Sequence, residues 1–448
     1  MAPSIAPELV ELSRQPVPRY TSYPTAPHFT SDVTADDYAG WLKSAGQEGG
    51  AVSLYLHIPF CRTICTYCGC TTKAALRDDP VRAYAAVVHD EIALIANHLG
   101  RAPVTHIHWG GGTPNILPPD SFTALVEDLS ARFDLQDWFE HAIELDPRHV
   151  TQEGARLLAR LGINRASLGV QTLDPQVQAV IARIQPLERI TAAFEALREA
   201  GITAINADLM YGLPRQSLGS IRETVEAVVR LKPERIAVFG YAHVPWMKPH
   251  QKLIRDEDLP GAAERLAQAR LARELLVDAG YCEVGIDHFA LPDDALTLAA
   301  RAGTLRRNFQ GYTTDVAESL IGIGASSISR TPQGYAQNAP DNHGWRRAIE
   351  ADRLPVVRGR RLQPDDLTRG RVIEDLLCRF SADVPAEVAG SNLELASLPQ
   401  LAALAERGWL RIGDGQVEIQ QHAPEIARIV ASAFDAYLGT AGRHSAAV

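Results

Sequence analysis

Short apolar runs alternate with longer amphipathic stretches over the first two thirds of the chain. The apolar run VSLYLHI at 52–58 is short and bounded, which predicts a strand. At 81–99 apolar residues recur every three or four positions, which predicts a helix. Further strands are predicted, with helical periodicity between them, at 104–110, 141–146, 165–171, 204–212 and 235–241. Such alternation is typical of parallel strands joined by helical crossovers.

A closed barrel of eight such units needs about 250 residues, whereas the predicted units are fewer and fill only about 190. The pattern therefore leaves two folds as alternatives, an open barrel and a doubly wound sheet. Polar and glycine-rich residues fall at the C-terminal ends of the predicted strands, at the edge where barrel folds hold their active sites. These residues are Cys61, Gly110–Pro114, Glu144, Gln171, Asp208 and Tyr241.

The pattern changes late in the chain. The segments 301–314 and 320–330 are glycine-rich and are predicted to be loops. Helices then dominate, with a hairpin at 409–420 that turns at Asp414-Gly415. Helices around a small hairpin resemble a winged helix, but the sequence has no basic helix there, so DNA binding is not expected.

The predicted organisation has four parts. An N-terminal arm covers the active site, a βα barrel carries it, connecting loops complete the barrel, and a mainly helical domain with a small hairpin ends the chain. The arm contains two tyrosines, an arginine and prolines around 19–25, which favours a folded cover over a flexible tail. The predicted bounds are 1–48, 49–290, 291–360 and 361–448.

The composition is that of a globular protein, since 46% of the 448 residues are hydrophobic and 22% are charged. The formal net charge of -10 does not favour nucleic acid as a partner. No stretch approaches the roughly 20 apolar residues that span a bilayer, and the N-terminus does not resemble a secretory signal. We therefore expect a cytoplasmic protein whose thiols stay reduced.

Four of the six cysteines lie in HIPFCRTICTYCGC at 57–70. Their spacing, C-x3-C-x2-C-x-C, lacks the two separated pairs that zinc prefers, although a structural zinc site or a ferredoxin-like site remains an alternative. Three thiolates can hold three irons of a cubane and leave the fourth iron open to a ligand with an amino and a carboxylate group. Cys282 and Cys378 stand alone in apolar stretches and are expected to be buried.

The C-x3-C-x2-C spacing after the strand that opens a βα barrel resembles the radical S-adenosylmethionine (SAM) superfamily. The resemblance implies an α/β fold with an open, three-quarter parallel βα barrel, in which Cys61, Cys65 and Cys68 bind a [4Fe-4S] cluster. The open iron is expected to bind SAM, which one electron cleaves to give a 5′-deoxyadenosyl radical. The sequence GGGTP at 110–114 supports the resemblance, because glycines allow close approach to a ligand.

Six segments narrow the resemblance to the oxygen-independent coproporphyrinogen III oxidases. They are PRYTSYPTAPHF (18–29), LYLHIPFCRTICTYCGC (54–70), NRASLGVQTLDPQVQ (164–178), NADLMYGLPRQS (206–217), NFQGYTT (308–314) and IGASSIS (323–329). Heme chaperones and heme-acting radical methyltransferases share the cluster motif and are the alternatives. Cys70 and the arm segment 19–25 favour the oxidases.

The resemblance implies two SAM molecules side by side. The first is expected to contact Tyr55, Gly111, Glu144 and Ile328. The second is expected to contact Tyr67, Gly112, Thr113, Gln171, Arg183, Asp208 and Ala242. Cys70 and Tyr55 are the candidate catalytic residues, and Cys70 is not expected to bind iron. Members of the family commonly have Phe where this chain has Tyr67, and both side chains are flat rings.

The implied reaction converts two propionate side chains of coproporphyrinogen III to vinyl groups, which gives protoporphyrinogen IX in heme biosynthesis. The implied partners are this substrate and an electron donor such as a flavodoxin or ferredoxin. Nucleic acid and membrane are not expected as partners, and a monomer is expected. Because the substrate carries four carboxylates and the protein is net negative, local cations must bind it. The candidates are Arg19, Arg306, Arg307 and Arg330.

Overall fold

The computed structural model describes residues 5–389, 395, 398–439 and 446–447. The contacts of the chain divide it into two units. Unit 1 comprises Met1–His28, Leu209–Thr314 and Gln363–Val448. Unit 2 comprises Phe29–Asp208 and Asp315–Leu362. Each unit therefore combines segments that are distant in the sequence, and the division after His28 falls within the predicted N-terminal arm.

The described strands are short, as expected for a chain in which strands and helices alternate. They are β1 (Val52–Ile58), β2 (Phe60–Cys61), β3 (Lys73–Ala74), β4 (Pro103–Gly111), β5 (Asp134–Leu145), β6 (Arg165–Gln171), β7 (Ala204–Tyr211), β8 (Arg235–Gly240), β9 (Cys282–Val284), β10 (His288–Ala290), β11 (Arg306–Asn308), β12 (Gly311–Thr313), β13 (Ser319–Ile323), β14 (Ile328–Thr331), β15 (Gly334–Asn338), β16 (Val356–Arg361), β17 (Ser381–Asp383), β18 (Leu410–Gly413) and β19 (Gln416–Ile419).

The described helices follow the predicted amphipathic stretches between the strands and fill the C-terminal region. They are α1 (Pro7–Ser13), α2 (Ala35–Glu48), α3 (Asp79–Leu99), α4 (Pro119–Arg132), α5 (Gln152–Arg160), α6 (Pro175–Val180), α7 (Leu187–Glu199), α8 (Leu218–Arg230), α9 (Ala262–Asp278), α10 (Ala295–Ala302), α11 (Asn342–Ile349), α12 (Pro364–Arg379), α13 (Ala386–Ala389), α14 (Pro399–Glu406) and α15 (Ala423–Ser432). In the described part of the chain, no helix is long and apolar enough to cross a bilayer.

A mixed sheet runs through unit 2 in the order β16-β15-β14-β13-β1-β4-β5-β6-β7. β1 pairs in parallel with β13 on one side and with β4 on the other, and β5 and β6 continue the parallel part. β14, β15 and β16 extend the other side by antiparallel pairing. Every residue of β1 except Tyr55 is buried, which is typical of a strand inside a parallel sheet.

The prediction of loops at 301–314 and 320–330 is wrong. The first segment contains the hairpin formed by β11 and β12, and the second contains most of β13 and the start of β14. Glycine misled the prediction, because Gly322 lies inside β13. A Cβ atom at Gly322 would lie 2.7 Å from the carbonyl oxygen of Ile328. This glycine permits a close approach of two backbones rather than breaking the strand.

In unit 1, the strand order is β7-β8-β10-β9, and β10 is antiparallel to both β8 and β9. The predicted hairpin is confirmed as β18 and β19, which form a small sheet with β17. Asp414 and Gly415 turn the hairpin with φ angles of 53° and 75°, as a type I′ turn requires. β17 was not predicted.

The helices of unit 1 share a hydrophobic core with the start of the chain. Its members include Leu9, Leu266, Leu376, Val417 and Ile426. The hydroxyl of Tyr20 donates to Asp435 at 3.0 Å, and the N–H of Ala436 donates to the hydroxyl of Tyr23 at 3.0 Å. The part of the predicted arm that lies in unit 1 is therefore packed against the C-terminal region.

Candidate active site

The loop after β1 carries the four clustered cysteines, and the end of β4 holds it in place. The N–H of Gly112 donates to the carbonyl oxygen of Ile58 at 2.9 Å, and the N–H of Thr113 donates to that of Phe60 at 2.8 Å. The short strands β2 and β3 pair in parallel and close the loop. Because β1 and β4 are parallel neighbours, the cysteines lie at the C-terminal edge of the sheet, as predicted.

One cavity at this edge gathers most of the predicted site residues. The predicted iron ligands Cys61, Cys65 and Cys68 line it together with the exposed Cys70. The predicted SAM contacts that line it are Tyr67, Gly111, Gly112, Thr113, Glu144, Gln171, Arg183 and Asp208. Tyr55, Ile328 and Ala242 are not among the described residues that line this cavity.

The sulfur of Cys61 faces two threonine hydroxyls. Thr113 Oγ1 lies 3.2 Å and Thr72 Oγ1 lies 3.4 Å from Cys61 Sγ, and both hydroxyls can donate to it. Burial nevertheless raises the pKa of the Cys61 thiol. Burial thus favours the protonated thiol, whereas a coordinated metal favours the thiolate, since a metal-bound thiol is deprotonated.

Two guanidinium groups stand beside the buried sulfur of Cys65. Arg183 Nη1 lies 3.6 Å and Arg148 Nη2 lies 4.0 Å from Cys65 Sγ. Both groups also bind the carboxylate of Asp146, at 3.2 Å and 2.7 Å. Burial opposes ionisation of Asp146, but the two arginines lower its pKa to about 2. The ionised Asp146 therefore fixes two positive charges next to a predicted iron ligand.

The three glycines at the end of β4 are required by close packing. A Cβ atom at Gly110 would lie 2.7 Å from Glu144 Oε1, and one at Gly111 would lie 2.6 Å from the ring of His57. At Gly112 it would lie 2.5 Å from the carbonyl oxygen of Phe60. Gly111 also has a φ angle of 108°, which favours glycine. The glycines let neighbouring groups crowd against the backbone of the cavity wall.

Glu144 on β5 is held by two donors. His108 Nε2 lies 3.1 Å from Glu144 Oε1, and the N–H of Gly111 donates to Oε2 at 3.2 Å. Burial acts against ionisation, but the hydrogen bonds and the charge of His108 lower the pKa of Glu144 overall. Glu144 is therefore a fixed carboxylate that can accept from an ammonium group or a ribose hydroxyl.

Asp208 on β7 is fixed in a similar way by residues of unit 2. Ser167 Oγ donates to Asp208 Oδ2 at 2.8 Å, and Asn206 Nδ2 donates to Oδ1 at 2.7 Å. Gln171, which ends β6, has a φ angle of 65°. This left-handed conformation is costly for a residue other than glycine, and such residues cluster at ligand sites.

The remaining predicted residues lie elsewhere in their units. The hydroxyl of Tyr55 lies 3.1 Å from His57 Nδ1, and its ring stacks on that of His108 with the centroids 5.9 Å apart. Ile328 begins β14 in unit 2, and Ala242 follows β8 in unit 1; both are half-buried. Most, but not all, of the predicted SAM contacts therefore line the cavity.

Known proteins match this chain over nearly its whole length. Residues 55–228 match the Radical SAM superfamily. The chain is 44% identical over 445 residues to the oxygen-independent coproporphyrinogen III oxidase of Bradyrhizobium diazoefficiens, which covers 98% of this chain and 99% of that relative. It is 42% identical to the enzyme of the same name from Paracoccus denitrificans, over 96% of each chain. The solved structure of coproporphyrinogen III oxidase from Escherichia coli, described as a radical SAM enzyme, matches with a TM-score of 0.88 and 34% identity, over 95% of this chain and all of that one.

The chain belongs to the oxygen-independent coproporphyrinogen III oxidase family. The predicted fold class, an α/β fold of the radical SAM type, is confirmed by this membership. Membership in the radical SAM superfamily implies a [4Fe-4S] cluster and SAM.

The cysteine loop of this family member fits such a cluster, because Cys61, Cys65 and Cys68 line one cavity. In the residues that the structure describes, no three Cys, His, Asp or Glu side chains are placed to hold a single metal ion together. In a cubane with three protein ligands each thiolate binds a different iron, so the sulfurs surround the group rather than meeting at one point. Of the two other cysteines, Cys378 is buried as predicted, whereas Cys282 is half-buried and its sulfur lies 3.3 Å from Arg301 Nη2.

Several residues that support the site of this oxidase family member were not predicted from its sequence. Asp146 and Arg148 follow β5 directly, so their position at a strand end was a usable signal. His57 and His108 lie inside predicted strands, so the apolar pattern did not mark them as site residues. The carbonyl oxygen of Thr71 lies 3.0 Å from His57 Nε2 and can only accept, so in the neutral imidazole His57 Nδ1 accepts from the hydroxyl of Tyr55.

Proposed function

We propose that this chain is an oxygen-independent coproporphyrinogen III oxidase, which converts two propionates of coproporphyrinogen III to vinyl groups and yields protoporphyrinogen IX in heme biosynthesis. The observation that carries the proposal is a cysteine-lined cavity in a chain that matches coproporphyrinogen III oxidases over nearly its full length. The arrangement of charged residues around the cavity supports the proposed chemistry.

Cys61, Cys65 and Cys68 are proposed to hold the cluster, which supplies the electron that splits SAM into methionine and the 5′-deoxyadenosyl radical. Glu144 is proposed to bind the ammonium group or ribose of SAM, and its fixed, ionised carboxylate supports this role. Arg183 offers a charge for a carboxylate. We assign these residues, with the other cavity-lining contacts predicted above, to two SAM molecules.

The proposed reaction removes one hydrogen atom from the β-carbon of a propionate and forms 5′-deoxyadenosine. Loss of carbon dioxide and transfer of one electron to an acceptor then leave a vinyl group. Each propionate consumes one SAM, which is why two SAM sites suit two decarboxylations. The protein must hold the reacting C–H bond within about 3–3.5 Å of the radical carbon and keep water away.

The proposed partners follow from this chemistry. A small electron-transfer protein such as a flavodoxin or ferredoxin is proposed to reduce the cluster. The porphyrinogen is the proposed small-molecule substrate. We propose that the enzyme acts as a monomer in the cytoplasm without nucleic acid or membrane.

Anaerobic turnover tests the proposal. The reconstituted protein is incubated with SAM, a chemical reductant and coproporphyrinogen III, and the oxidised products are separated by chromatography. We expect a divinyl porphyrin and about one 5′-deoxyadenosine for each vinyl group, as the balance of the reaction requires, with no product from Cys65→Ala. Tight heme binding without product would indicate a chaperone, and release of S-adenosylhomocysteine would indicate a methyltransferase; either result overturns the proposal.

A further inference from the structure

Four arginine side chains of unit 1 concentrate positive charge around Tyr211 and Asp287. We call them the arginine cluster: Arg19, Arg265, Arg307 and Arg428. They come from the N-terminal segment, α9, β11 and α15. Their convergence is therefore a product of the fold and is not visible as a basic run in the sequence.

Two members of the arginine cluster are fixed at the end of β8. Arg19 Nη2 donates to the carbonyl oxygen of Gly240 at 2.8 Å, and Arg265 Nη2 donates to that of Tyr241 at 2.8 Å. The ring of Tyr211, which ends β7, lies under the Arg265 guanidinium at 5.7 Å. These are C-terminal strand ends, the positions at which βα folds bind their ligands.

The charge of the arginine cluster is not balanced by the carboxylate it surrounds. Asp287 Oδ1 lies 2.7 Å from His288 Nδ1 and 4.0 Å from Arg307 Nη1. Burial opposes its ionisation, but His288 and the arginines lower the pKa of Asp287 to about 2, so it is ionised. Burial and the neighbouring Arg19 lower the pKa of Arg428 to about 10. Asp287 interacts with three of the four guanidiniums, those of Arg19, Arg307 and Arg428, so the arginine cluster keeps an excess of positive charge that favours a bound anion.

Arg307 gives an independent indication that the arginine cluster binds a ligand. Its side chain is only 7% exposed, and its Nε and Nη1 atoms make no hydrogen bond to the described residues. The ring of Tyr312 packs against the guanidinium at 4.6 Å. Buried donors without acceptors are costly, and a carboxylate supplies two acceptors in the geometry that a guanidinium prefers. Arg19 is exposed and Arg265 and Arg428 are half-buried, so part of the arginine cluster reaches solvent.

We propose that the arginine cluster binds propionate carboxylates of the porphyrinogen substrate. This inference rests on the proposed function and names residues for substrate recognition. It retains Arg19 and Arg307 from the predicted cations. Arg306 is instead paired with Glu374, 2.9 Å from Nε to Oε1. Arg330 lies on β14 in unit 2 and stays a prediction.

The test uses the anaerobic, cluster-loaded enzyme and coproporphyrin III, a stable and fluorescent tetracarboxylate. Binding is measured by fluorescence for the wild type and for Arg19→Gln, Arg307→Gln and Arg428→Gln. Each variant is expected to weaken binding about tenfold or more, because it removes a charge-assisted pair. The KM for coproporphyrinogen III should rise while cleavage of SAM without substrate keeps its rate.

A matched control and a neutral ligand separate binding from folding. Arg273→Gln removes an arginine of the same helix as Arg265, one that is paired with Glu283, and should bind as the wild type does. The tetramethyl ester of coproporphyrin III carries no carboxylates, so its binding should not distinguish wild type from variants. Arg19 is exposed, so Arg19→Gln tests the site even where a buried variant does not fold.

The outcomes for the arginine cluster and for the enzyme activity are distinguishable. Wild-type turnover to a divinyl product, with unchanged coproporphyrin binding by folded Arg19→Gln, Arg307→Gln and Arg428→Gln, overturns the arginine site and leaves the function intact. Arginine-dependent binding without divinyl product overturns the function and leaves the carboxylate site intact.

Discussion

Gly112 shows how a single residue can act on the first predicted iron ligand. A Cβ atom at this position would lie 2.5 Å from the carbonyl oxygen of Phe60 and 2.6 Å from Thr72 Oγ1. Phe60 directly precedes Cys61, and Thr72 faces the Cys61 sulfur. Steric pressure at Gly112 therefore moves the backbone and the hydroxyl that position this cysteine.

We expect Gly112→Ala to destabilise the folded protein by about 1–3 kcal/mol, the usual cost of overpacking. It should also lower the iron bound after reconstitution. Calorimetry and iron analysis measure the two effects. Gly40→Ala is the control, because nothing lies within 4 Å of a Cβ atom there. Equal iron content and stability in both variants would show that the close approach at Gly112 is not required.

At the scale of elements, the buried carboxylate of Glu91 connects α3 with the far strands of the unit 2 sheet. Its Oε2 accepts from the N–H of Gly324 at 2.7 Å and from Trp345 Nε1 at 2.9 Å. Its Oε1 accepts from Asn338 Nδ2 at 2.6 Å. These donors belong to the turn before β14, to α11 and to the end of β15. One side chain therefore fixes three elements that lie far from it in the sequence.

The connection made by Glu91 should depend on pH. Burial raises the pKa of this carboxyl from 4.5 to about 7. The folded state therefore holds this proton more tightly than the unfolded state does. The protonated Glu91 makes its full contribution to the free energy of unfolding below pH 4.5, and this contribution is lost as the pH rises through about 7. We expect the stability of the wild type relative to Glu91→Gln to fall over this interval.

Denaturant unfolding at several pH values measures this difference. Asp90→Asn changes an exposed carboxylate of the same helix and should follow the wild type at every pH. A constant difference between wild type and Glu91→Gln would mean that Glu91 has an ordinary pKa.

The sequence pattern predicted the strands that depend on local sequence and missed the strands that depend on pairing with distant residues. β1 and β4 to β8 were predicted because continuous apolar runs between helical stretches are a local signal. The segment that contains most of β13 and β14 was predicted to be a loop because of Gly322 and Gly324, whereas Gly322 lies inside β13 and permits close packing against Ile328 of β14. The hairpin at Asp414-Gly415 was predicted together with its turn. β17 was not predicted, because it pairs with β19, more than thirty residues away in the sequence, where Ser381 lies opposite Glu418.

At the scale of the whole molecule, the site could be predicted where each residue lies in or just after the C-terminal part of its own strand. The cysteines, Gly111, Glu144, Gln171 and Asp208 come together because neighbouring parallel strands end at one edge. The arginine cluster could not be found in this way. Arg19 and Arg428 lie at opposite ends of the chain, and only the packing of unit 1 makes them neighbours.

The proposed radical chemistry depends most directly on an iron cluster that is held by three thiolates and open to SAM. Metal analysis of the anaerobically reconstituted protein, with electron paramagnetic resonance of its reduced form before and after addition of SAM, measures this. We predict about four irons per chain and a spectrum that changes with SAM, both lost in Cys61→Ala, Cys65→Ala and Cys68→Ala and kept in Cys282→Ala. One zinc ion per chain, with no signal that responds to SAM, would contradict it.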